Sequence, residues 1–172
     1  EYRDRGYLPE ALLNMVALVG WNPGTAQELF TKKELIKVFD LKKVQRSPAV
    51  FNTEKLDWMN KEYIKLLSNE ECLAQIKQFL PDSIKVLPGY THEKLAHIAP
   101  LLVERIAHFD EVAVMAEAGE LSYYFDAPHY DKEKLFWKEE RDTAKLAERL
   151  THTAQLLQEI DGGVFTQENI KK

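Results

Sequence analysis

Apolar residues recur along this chain at three- and four-residue intervals, the spacing of helices that bury one side. Leu8, Leu12, Met15, Leu18 and Val19 make the first such stripe. Pro9 suits its opening turn, where a missing N–H leaves no helical bond unmade. The turn Trp21-Asn22-Pro23-Gly24 then interrupts the stripe. Thr31 with Glu34, and Ser68 with Glu71, have the spacing of a reciprocal N-terminal cap, so helices are predicted after each. Another helix is predicted to start at Thr53. Further on, Thr91 precedes "HEKLAHIAPLLVERIAHF", with Pro100 starting or kinking a helix. Leu102, Ile106, Phe109, Ala113 and Ala116 share one stripe if that helix runs past Asp110. From Asp131 a long pattern carries Leu146, Leu150, Ala154, Leu157 and Ile160 on one face as far as Gly162-Gly163, and Thr166 is placed to cap a last helix. No stretch alternates in the manner of a strand. The pattern predicts an all-α fold of two small helical modules in tandem. Pro81 and "LPGY" at 87–90 mark the divide, giving residues 1–68 and 69–172.

Composition narrows the function classes. The 172 residues are 45% hydrophobic, enough for one substantial core or two small ones. Cys72 is the only cysteine, so no internal disulfide exists, and a reducing, cytoplasmic setting is expected. No apolar run approaches the ~20 residues that span a bilayer. The formal charge of −5 argues against generic nucleic-acid binding, but it is uneven: residues 1–68 carry a net +2 and residues 69–172 a net −7. A basic face in the first part remains open. The chain starts at Glu1 with charged residues unlike a signal peptide, as expected of a piece of a longer protein.

Catalytic patterns are sparse. "HEKLAH" places His92 and His97 five residues apart, roughly 140° around a helix, so they do not share a metal as histidines four apart do. No phosphate-binding glycine loop or nucleophile elbow occurs.

The helix from Thr53 is more informative. Leu56, Met59, Tyr63 and Leu67 fall in a narrow arc that should face a core. Trp58 lies nearly opposite Leu56, with Lys61 and Lys65 on its side and Lys55 one turn back. An indole flanked by ammonium groups suits a sugar–phosphate backbone, and Arg46 adds charge on the approaching loop. The alternative is that Trp58 packs on a neighbouring helix while its lysines reach outward. His108 lies off the apolar stripe with Arg105 one turn back; such a pair can hydrogen-bond exposed base edges or be ordinary surface.

"RGYLPEALLNMVALVGWNPG" and "ELFTKKELIKVFDLKKVQRSPAVFNTEKLDWMNKEYI", in that order and spacing, resemble bacterial-type glutamate–tRNA ligases, class I synthetases, in the part that follows the catalytic domain. "ERIAHFDEV", "YYF" and "FTQENI" are similar to the helical anticodon-binding domain of that family. The resemblance implies a stem-contact module over 1–68 and a partial anticodon-binding module over 69–172. It implies tRNA(Glu) as partner, with tRNA(Gln) open, and RNA contacts at Arg46, Lys55, Trp58, Lys61, Lys65, Arg105 and His108. His108 falls where the family places a basic residue that reads the third anticodon base. Many discriminating members carry arginine there, so histidine decides neither narrow nor relaxed recognition. Lys61 stands where the family often has glycine. The family's ATP- and glutamate-binding domain, with its HIGH-type and KMSKS-type motifs, is absent from these residues. No cofactor is therefore expected in this segment, and ATP with Mg is expected in the missing domain. The segment alone should neither activate nor transfer glutamate, and a monomer is expected. The rival from another class is a helical protein-interaction module with no RNA role.

Overall fold

The computed structural model describes residues 1–45, 50–136 and 141–160. Packing divides the chain into a unit over residues 1–128 and another over 129–172. The first holds α1 (Pro9–Gly20), α2 (Lys32–Val38), α3 (Thr53–Ile64), α4 (Asn69–Phe79), the one-turn α5 (Asp82–Lys85), α6 (His92–Arg105) and α7 (Glu111–Glu117). The second holds a 3-10 turn at Lys132–Leu135 and α8 (Thr143–Glu159). Among the described residues there is no strand, only an isolated antiparallel bridge between Trp21 and Val44. The fold is all-α. The expected divide at residue 68 lies inside the first unit.

Local signals set most helix starts. Thr31 accepts from the Glu34 N–H while Glu34 accepts from the Thr31 N–H, and Ser68 and Glu71 repeat this at α4. The bond from the Ser68 N–H holds the Glu71 carboxyl below its ordinary range. Ser68→Ala should cost about 1 kcal/mol of stability, read as a lower urea midpoint at unchanged slope. Asn52 caps α3 through the Lys55 N–H at 3.0 Å, so Thr53 is its first residue.

In the first unit α1 packs on α3, and α4 on α6 and α7. One hydrophobic core runs through Met15, Leu56, Met59, Ile64, Ile76, Leu95, Leu102 and Phe109 to Phe125. A smaller cluster joins Trp21, Phe30 and Leu35.

Two expected helices are shorter than their patterns. The stripe through Leu102, Ile106 and Phe109 does not belong to one helix: α6 stops at Arg105 and α7 starts at Glu111. The backbone between them is committed elsewhere. The Ala107 carbonyl accepts from Asn60 and the Ala107 N–H donates to Glu111, while the Phe109 and Asp110 N–H groups reach the carbonyls of Gly6 and Arg5. These tertiary bonds replace the helical ones that continuation would need. In the second unit the helix expected from Asp131 begins at Thr143, where Asp142 accepts from the Ala144 and Lys145 N–H groups. The turn at 162–163 and the cap at Thr166 lie outside the described residues.

Candidate nucleic-acid interface

Helix α3 divides its residues as its period requires. Leu56, Met59, Asn60, Tyr63 and Ile64 are buried, and Leu67 packs against the same core. Trp58, on the other side, is 43% exposed. Lys55 is held by Glu28 at 2.5 Å and Lys65 by Glu62 at 2.5 Å. Among the described residues Lys61, one turn on from Trp58, makes no ion pair within 4 Å. Surface pairs of this kind are worth little to stability and exchange readily for a phosphate.

The orientation of this face depends on three buried polar latches. The Asn14 amide donates to the Glu28 carbonyl at 2.6 Å and its oxygen accepts from the Phe30 N–H at 2.9 Å. Because Asn14 pins the Glu28 backbone, the Glu28 carboxylate meets Lys55 from a fixed position. The Tyr63 hydroxyl donates to the Phe30 carbonyl at 2.7 Å, tying the same loop to α3. Burial pushes the Tyr63 phenol up from its usual range and keeps it a donor. Tyr63→Phe should lower stability by about 1 kcal/mol in urea unfolding, since the ring stays and only the bond is lost. Asn60 accepts from the Leu8 N–H at 2.8 Å and donates to the Ala107 carbonyl at 2.6 Å. It thereby joins the start of α1 and the α6–α7 break to the core side of α3.

His108 departs from the surface position expected of it. It is buried, its Nε2 accepts from the Arg5 guanidinium at 2.8 Å, and its Nδ1 faces the Asp110 carboxylate. Tyr7 stacks obliquely on the His108 ring at 4.7 Å and donates to Asp57, with Arg5 over its face. The exposure expected of His108 followed from continuing its helix. Once α6 ends at Arg105, that angular argument no longer applies. Arg105 is exposed and paired with Glu120, whereas His108 is held by Arg5 and Asp110. Lys55, Trp58 and Lys61 follow one another at three-residue intervals along α3, Lys65 is the residue at its C-terminal cap, and Arg105 and His108 have separate partners. Arg46 lies outside the described residues.

Sequence pattern alone missed Asn14 and Asn60. Asn60 follows Leu56 by four residues and precedes Tyr63 by three, which put it on the core side of α3. A polar residue on an apolar arc was the available signal. Among the described residues no group of three or more His, Cys, Asp or Glu could hold a metal ion, and no helix is long and apolar enough to cross a membrane.

Comparisons with known proteins add the family. Residues 1–58 match the family described as tRNA synthetases class I (E and Q), catalytic domain. A glutamate–tRNA ligase of Exiguobacterium sibiricum is 40% identical over 136 residues, covering 77% of this chain and 27% of that protein. One from Bacillus licheniformis is 33% identical over 174 residues, covering 99% and 34%. Among solved structures, a glutamate tRNA ligase from Elizabethkingia meningosepticum in complex with its amino acid is similar with a TM-score of 0.68 at 34% identity, covering 93% of this chain and 30% of that one. This chain is a relative of glutamate–tRNA ligases and spans 27% to 34% of the length of these two curated relatives.

Proposed function

We propose that this segment of a glutamate–tRNA ligase relative holds tRNA, with the stem lying along the exposed side of α3 and residues beyond about 90 reaching toward the anticodon. The observation that carries the reading is the half-exposed Trp58 beside Lys61, on a helix whose opposite side is locked into the core. The indole offers a flat surface to a ribose or base, and the lysines offer charge to phosphates. Phosphate contacts of this kind set register, while base contacts set identity. His108 contributes by holding the 106–110 break through Arg5 and Asp110, not by meeting a base. In the whole protein, ATP with Mg and glutamate would be handled by the catalytic domain, and the reaction would be esterification of glutamate to tRNA(Glu). The segment alone is expected to bind weakly and to lack that activity.

The test is a titration with tRNA(Glu), tRNA(Gln) and an unrelated tRNA at two salt concentrations. Lys61→Glu with Lys65→Glu should weaken tRNA binding at least tenfold at low salt. The slope of log affinity against log salt should fall by about 2, one unit for each phosphate no longer neutralised. Unchanged affinity and slope would reject this face as the RNA-binding surface.

A further inference from the structure

The buried ring of His108 stands between groups that ask different things of its two nitrogens. The titratable and charged groups around it come from three segments. The lead into α1 supplies Arg5 and Tyr7, α3 supplies Asp57 behind the Tyr7 hydroxyl, and the start of α7 supplies Asp110 and Glu111. Arginine only donates, so its 2.8 Å contact requires a lone pair on Nε2. Nδ1 faces the Asp110 carboxylate, and among the described residues neither Nδ1 nor Asp110 Oδ1 has a hydrogen bond. Glu111 Oε1 stands 4.0 Å from Nε2, while its Oε2 accepts from the Ala107 N–H.

Charging the ring puts an N–H on both nitrogens. At Nδ1 that N–H points at a carboxylate, which favours it. At Nε2 it meets the Arg5 guanidinium, which cannot accept, and Glu111 is the carboxylate within reach. We propose that His108 is a proton-operated tether: uncharged, it holds Arg5 at Nε2; charged, it releases Arg5 and takes Glu111 instead. Arg5 has room to leave, since its side chain is 43% exposed. The direct polar links left between residues 5–6 and the α6–α7 break are then weak ones. Arg5 Nε is 3.5 Å from Asp110, and the Phe109 and Asp110 N–H groups reach the Gly6 and Arg5 carbonyls at 3.4 and 3.3 Å, long for such bonds. The tether rests on this geometry and not on tRNA binding by α3.

Histidine is the side chain that ordinarily changes charge between about pH 5 and 8, which sets the window of the test. Imidazole 15N NMR of this chain from pH 8 to pH 5 reads the ring, with His108 assigned by the signals lost in His108→Gln. Nε2 should carry a lone pair at pH 8 and a proton at the acid end. Protection of the Phe109 and Asp110 amides from exchange should fall at least threefold across the same step. His108→Gln, which has no such proton to gain, should show no step. Arg5→Met should raise the midpoint of the ring by about half a unit or more, and Glu111→Gln should lower it similarly. A proton on Nε2 at pH 8 would overturn the tether, as would a ring that gains none by pH 5. A midpoint that neither substitution moves, or amide protection without a step, would overturn it as well. The tautomer and the amide step are read on the wild-type chain, so they decide the matter even where a variant folds poorly.

Discussion

Asn60→Ala should lower the stability of the first unit by roughly 2–4 kcal/mol, from a buried Leu8 N–H and a part-buried Ala107 carbonyl left without partners. Asn60 is 0% exposed, so water cannot replace what the alanine removes. The Leu8 N–H loses its acceptor just ahead of α1, and the Ala107 carbonyl loses its donor at the α6–α7 break. The deleted atoms also leave a small void in the core. Urea unfolding followed by circular dichroism measures the loss, and a midpoint within experimental error of wild type would refute the latch. Asn60→Asp separates the two bonds. Its carboxylate still accepts from Leu8 but cannot donate to Ala107, and it buries a charge unless protonated. The aspartate variant should therefore be far less stable at pH 8 than at pH 4, relative to wild type at each pH.

Legibility followed sequence range. The caps at Thr31 and Ser68 and the core side of α3 rest on residues three or four apart, and these appear where the pattern puts them. The exposed side of Trp58 is legible for the same reason, because opposite faces of one helix follow from its period alone. The latches bridge 52 and 47 residues from Asn60, and 103 residues from Arg5 to His108. No local pattern announces such partners. They also account for the misplaced stripe: Leu102, Ile106 and Phe109 are all buried as the pattern requires, but only Leu102 is helical, and Ile106 and Phe109 fall in the break that Asn60 and Glu111 stabilise. Apolar periodicity reports burial and cannot see where backbone bonds are diverted. At the candidate site the composition of the α3 face is readable from the sequence. Its charge balance is not, since the Lys55–Glu28 pair depends on how Asn14 fixes a loop 14 residues away.

The same junction makes Gly6 intolerant of a methyl group. Its φ of +74° lies in the left-handed region, where an L-residue is strained by about 1 kcal/mol. An added Cβ would also stand 2.6 Å from the Phe109 Cβ, 2.9 Å from the Phe109 backbone nitrogen and 2.9 Å from the Phe79 ring. The Phe79 contact is with the tip of a partly buried ring, but the Phe109 Cβ and backbone nitrogen have no such freedom. Phe109 is fully buried, and its N–H reaches the Gly6 carbonyl, so relief requires moving two segments of backbone together. Gly119 supplies the control: its φ is +78°, but nothing lies within 4 Å of the added carbon. Gly119→Ala should therefore cost about 1 kcal/mol, from conformation alone. Gly6→Ala should exceed it by roughly 1–3 kcal/mol, the usual range for overpacking a rigid core. Equal losses for the two variants in urea unfolding would mean that Phe109 and Phe79 yield freely. That would contradict the close approach of residues 5–8 to the α6–α7 break, on which the positioning role of His108 also depends.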